Sequence, residues 1–175
     1  MTDPQPRPRS QESHPATEQA LRENYVMRLS GPAPESDVAN HLLKAQESID
    51  SATDDLAKER FNKAADSGYD AGHHAVEALM AYRGIRINKD DEALGRHGHA
   101  AAAEYLSVEL RHARHLSQEA AKDIAGRYDQ FRRIRNTTSY GPRLFDEKTA
   151  RAMYDNGRKV LKQVRILTGR DEQPG

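Results

Sequence analysis

Along most of the chain the apolar positions recur at intervals of three and four, the period of helices buried on one side. Val38, Leu42, Ala45, Ile49, Ala52 and Leu56 form a first stripe, which Ser36 or Asp37 can cap and which runs to about Lys58. Phe61, Ala65, Tyr69, Gly72, Val76, Leu79 and Arg83 keep the spacing in a second helix, and Gly84 supplies its stop. The small residues Ala64, Gly68, Ala71, Gly72 and Ala75 let a neighbouring helix come close. Each internal glycine costs roughly 1 kcal/mol relative to alanine, which that packing must offset.

A loop from Ile85 to Gly95 separates this helix from a third, from about His97 or Gly98 to Leu110, with Ala102, Tyr105, Leu106 and Leu110 on one side. Arg111 to His115 reads as a basic connector. A long fourth helix starts at Ser117 and is broken by Gly141-Pro142. The fifth, from about Asp146 to Leu167, carries Ala150, Met153, Gly157, Val160, Leu161 and Val164, and Gly169 ends it. The pattern predicts an all-α fold, a five-helix antiparallel bundle.

The N-terminal stretch reads differently. Six of the eight prolines fall between Pro4 and Pro34, mixed with Ser, Gln, Arg and Glu, the composition of a disordered tail. Within it Leu21, Tyr25 and Leu29 are four apart, which gives Thr17 to Leu29 helical character. The expected organisation is a disordered or partly helical tail over 1–36, a helical domain over 37–168 and a loose C-terminus over 169–175.

Length and composition fit one such domain. The 175 residues suffice for a single core, and 36% hydrophobic with 31% charged residues suits amphipathic helices better than buried parallel strands. The formal net charge is zero, so any preference for nucleic acid must come from a local patch. There is no cysteine, hence no disulfide frame or thiolate chemistry. No apolar run approaches the length of a membrane span or signal core, and a cytoplasmic location is expected.

Charge concentrates at the end of the fourth helix. Ala121, Ile124, Tyr128, Phe131 and Arg135 share one face. An arginine closing an apolar stripe must find a carboxylate, backbone carbonyls, a phosphate or a wet crevice, because an unpaired buried charge is expensive. One reading pairs Arg135 with an acid such as Asp129 or Asp70, near the negative end of the helix dipole. The other is phosphate binding: Arg132, Arg133, Arg135 and Arg143 cluster, and Asn136, Thr137, Thr138 and Ser139 add neutral donors.

Here the chain resembles the HEPN superfamily (higher eukaryotes and prokaryotes nucleotide-binding). Arg135-Asn136 matches the first half of the superfamily's motif, an arginine and a polar residue followed four to six residues on by a histidine. Tyr140 stands where that histidine is expected, and no histidine follows His115. The second helix, Gly68 to Ile85 with its Arg83-Gly84 ending, is similar to the corresponding HEPN helix, and the likeness extends from about Asp37 to Leu167.

The resemblance implies a homodimer that joins two motifs in a cleft and binds RNA or a nucleotide through Arg132, Arg133, Arg135, Asn136 and Arg143, with no cofactor. In HEPN ribonucleases, which need no metal, the arginine holds the scissile phosphate and the histidine moves the proton. Tyrosine, with a pKa of about 10, is a poor base near neutral pH, so Arg135 and Tyr140 suit binding better than catalysis. The leading expectation is a non-catalytic or weakly catalytic binding module. An endoribonuclease of toxin type, with an antitoxin partner, would recruit His73 or His74 as proton carrier. A third reading makes Tyr140 the substrate of a partner nucleotidyltransferase, and a fourth makes the chain a regulatory protein-interaction dimer.

Metal binding finds little in the spacing. His97 and His99, and His112 and His115, lie at usable intervals, but no carboxylate or cysteine completes either set. They read as solvated histidines, and no metal is expected. No glycine elbow surrounds Ser139, and no phosphate-cradling glycine loop occurs.

Overall fold

A computed structural model describes residues 19, 23, 25–29, 35–89, 92–138 and 144–171. Among them are five helices: α1 (Glu35–Ala57), α2 (Phe61–Tyr82), α3 (Glu92–His112), α4 (Gln118–Thr138) and α5 (Glu147–Leu167). The all-α class is as the periodicity predicts, and the bounds of α1, α2 and α5 fall within a residue or two of those expected. At α5 the reason is local: the Asp146 carboxylate accepts a hydrogen bond from the Thr149 amide at 2.7 Å, capping the first turn.

The order of packing follows from which helix is apolar all round. α2 is buried along nearly its whole length from Ala64 to Ala81, so it takes the centre, with α1 and α5 packed most extensively against it. Gly68 and Gly157 meet where α2 crosses α5. A Cβ on Gly68 would lie 2.7 Å from the Tyr154 nitrogen and 2.8 Å from its Cα, both backbone atoms of α5. The stripe of α4 is buried as predicted, with Ala121, Ile124, Tyr128 and Phe131 in the core. Asn156 of α5 fastens α4 by donating to the Ile124 carbonyl at 3.1 Å.

Three expectations are corrected. Val26–Arg28 forms a strand, β1, antiparallel to β2 (Ile85–Ile87), with Val26 opposite Ile87 and Arg28 opposite Ile85. The segment around Tyr25 to Leu29 is therefore extended where a disordered or partly helical tail was expected, and the first part of the Ile85–Gly95 loop is its partner. Val26, Ile85 and Ile87 are all buried, and closing a cover over α2 outweighs a weak local helical preference. Gly84, at φ 80°, makes the turn from α2 into β2 in a conformation that favours glycine. The third helix begins at Glu92, earlier than its apolar stripe suggests. At Gly98 a Cβ would meet the Ile87 side chain of β2 and lie 2.9 Å from the Tyr25 carbonyl oxygen, so this glycine lets α3 sit close to the two-stranded sheet. No helix among the described residues is long and apolar enough to cross a membrane.

Candidate functional site

The seam between α2 and α4 is where the chemistry gathers. Tyr69 and Tyr128 stack at 5.6 Å between ring centroids in its middle. Gly72 makes room for this, since a Cβ there would sit 3.3 Å from the Tyr128 ring. Burial raises the Tyr69 phenol above its ordinary range and the Tyr128 phenol well above it. Polar groups extend from this pair in both directions.

Towards the end of α4, Arg135 lies over the Tyr69 ring, its Cζ 5.0 Å from the centroid. Its guanidinium is 3.1 Å from Asp70 and 3.6 Å from Asp66, so of the two acids considered for it Asp70 is the partner. Burial pushes the Asp70 carboxyl up from the usual carboxylate range, against the pull of Arg135. Asp129 serves two other arginines. Arg132 donates to one of its oxygens through Nε and an Nη, at 2.9 and 2.8 Å, and Arg133 reaches the second oxygen at 2.7 Å. Asn136 is exposed. Tyr140 and Arg143 lie outside the described residues.

Arg132 and Arg133 open onto a different surface, a groove of about 700 Å³ between α3 and α4. Its charged lining is Glu104, Arg111, Lys122, Asp129, Arg132 and Arg133, over a floor that includes Ala103 and Ala125. Among the described residues, four cations face two carboxylates there. The structure thus divides the arginine cluster, with Arg135 held against α2 and its two neighbours turned to the α3–α4 groove. Lys122 shares the α4 face of Gly126, Asp129 and Arg133 at helical spacing, and the packing of α3 on α4 adds Arg111, which the sequence shows only as the start of a basic connector.

In the other direction the Tyr128 hydroxyl contacts His73 Nδ1 at 3.2 Å, and a cluster of histidines surrounds Glu77. The carboxylate oxygen Oε2 is 3.3 Å from His74 Nδ1, 3.6 Å from His41 Nδ1 and 3.8 Å from His73 Nε2, while Lys89 pairs with Oε1. The His99 ring stacks on His73 at 4.3 Å. Burial pushes His73 down to about 3 and lowers His41 and His99 as well, so these imidazoles are neutral near neutral pH. For Glu77 burial acts upward, but His74, His73 and Lys89 outweigh it and hold the carboxyl well below the usual range.

His73, 7% exposed and neutral, is shut away from any RNA and too weakly basic to accept a proton near neutral pH. His74 remains partly exposed. The histidine pairs noticed in the sequence do not converge: His97 stacks on Tyr25 at 4.6 Å, His112 Nδ1 lies 2.9 Å from the Val108 carbonyl, and His115 Nε2 is 2.6 Å from Gln163 Oε1. The signal that would have found the cluster is Glu77 itself, an acid inside the apolar run Val76 to Ala81 and three and four residues from His74 and His73. His41 borders the Val38–Leu42–Ala45 stripe in the same way.

No family model, curated protein or solved structure matches this chain.

Proposed function

We propose that the chain is a phosphate-binding helical module that takes RNA or a nucleotide in the groove between α3 and α4. One observation carries this reading. In a chain of zero net charge, Arg111, Lys122, Arg132 and Arg133 share one concave surface on which the acids among the described residues are Glu104 and Asp129. A cleft lined by an excess of one sign focuses the field on an incoming anion. Asp129 fixes two guanidinium groups with a single carboxylate, so the set remains cationic and is held in place for a planar phosphate contact.

The order of the helices and the Arg135-Asn136 pair support a HEPN-like version of this module, in which two copies would join across a cleft. Arg135 is the weaker anion contact in that scheme, because phosphate would have to displace Asp66 and Asp70. No reaction is assigned. The same ion pairs favour a second reading, a regulatory dimer that binds another protein, with the arginines as surface charges.

Fluorescence anisotropy with a labelled single-stranded RNA separates the two. Arg132→Ala/Arg133→Ala is expected to weaken binding at least tenfold and to reduce the steepness of the log–log salt dependence by about 1.4, the loss of roughly two phosphate contacts. Arg135→Ala is expected to do less. Equal affinity and equal salt slope in the double variant and the parent would refute phosphate binding in the groove and leave the protein-binding reading.

A further inference from the structure

We propose that His41, His74 and Glu77 form a binding site for a divalent transition-metal ion, with Zn²⁺ the best match to the donor set. Their ligand atoms, two imidazole nitrogens and one carboxylate oxygen, all lie within 4.8 Å of one another. The two edges to Glu77 Oε2 are 3.3 and 3.6 Å. A tetrahedral zinc ion with bonds of about 2.0–2.2 Å has ligand-to-ligand edges of about 3.3–3.6 Å. Two edges of the coordination polyhedron therefore exist already, and the third, between the two imidazoles, spans no more than 4.8 Å.

The position of each ligand has a physical cause. His74 and Glu77 are three residues apart on one face of α2, and His41 projects from α1, packed extensively against it. Donors on rigid, mutually buried helices are pre-positioned for an ion. His41 Nδ1 is buried and has no hydrogen-bond partner among the described residues, an arrangement that is costly unless something fills it.

The surroundings fit the same role. Lys89 holds Glu77 Oε1, which leaves Oε2 as a single donor, the orienting part that outer groups play around metal ligands. The His41 and His74 side chains are 28% and 29% exposed, so an ion can enter from solvent and a water can take the fourth position. Two imidazoles select against calcium and magnesium, which prefer oxygen donors. The chain has no cysteine, so bound zinc must be held by nitrogen and oxygen.

The test uses the full chain without a histidine tag, stripped with chelator and titrated with Zn²⁺ alone by calorimetry. Co²⁺ serves as an optical probe of tetrahedral coordination. One ion per chain is expected, with a rise in Tm that chelator reverses. His41→Ala and His74→Ala should each weaken binding roughly tenfold or more, while His112→Ala and His115→Ala leave it unchanged. Far-UV circular dichroism checks the fold of each variant, and His74→Gln replaces any alanine variant that unfolds. No stoichiometric binding, or binding unaltered in folded His41 and His74 variants, would overturn the site.

Discussion

Gly68→Ala tests the close crossing of α2 with α5. The added methyl would lie 2.7 Å from the Tyr154 nitrogen, 2.8 Å from its Cα and 2.9 Å from the Met153 carbonyl carbon. All three are backbone atoms, so no rotamer change relieves the clash and α5 must retreat. Forcing extra volume into a packed interior costs about 1–3 kcal/mol, and alanine's better helix propensity returns up to about 1 kcal/mol. Set against the full return, the net loss should be about 0–2 kcal/mol, a fall in Tm of up to about 8 °C for a chain of this size. Gly126→Ala is the control: it lies in α4, is exposed, and its Cβ would meet nothing within 4 Å, so it should stabilise by about 0.5–1 kcal/mol. Urea denaturation followed by far-UV circular dichroism measures both variants against the parent. If Gly68→Ala stabilises as much as Gly126→Ala, α2 and α5 do not approach this closely, and the argument from close packing is wrong.

Two further predictions concern the buried tyrosines. Tyr128→Phe removes the hydroxyl that meets His73 Nδ1 and leaves a buried nitrogen unsatisfied, which should cost about 1–3 kcal/mol in the same urea experiment. Burial raises the phenols of Tyr69, Tyr105 and Tyr128 above their ordinary value. Above pH of about 10 the unfolded chain gives up phenolic protons that the folded chain keeps, so the phenols add no pH dependence below that pH and folding stability should fall above it. The limit is about 1.4 kcal/mol per pH unit for each tyrosine. Urea melts across that range measure the slope, which Tyr105→Phe should flatten. Complete phenolate absorbance with the helical signal intact would contradict the burial argument.

The sequence alone determined the class of fold and most helix limits. Those depend on local matters: the three-and-four recurrence through Val38 to Leu56, the cap at Asp146, the glycine stops at Gly84 and Gly169. It also marked Arg135 as a charge needing a partner, since an apolar stripe ending in arginine is an electrostatic problem visible without coordinates. Which partner it takes is not local. Asp66 and Asp70 stand on another helix, and only the packing of α2 against α4 sets them opposite Arg135 and turns Arg132 and Arg133 away to the α3–α4 groove. The strand at Val26–Arg28 is too short to announce itself by alternation, and it forms because Ile85–Ile87 offers it an edge and a buried face. His41 is remote in sequence from His74 and Glu77, and a spacing rule cannot join residues whose nearness comes from two helices folding back on each other. Periodicity records how each segment meets its surroundings, whereas the chemistry here lies between segments and is decided when they pack.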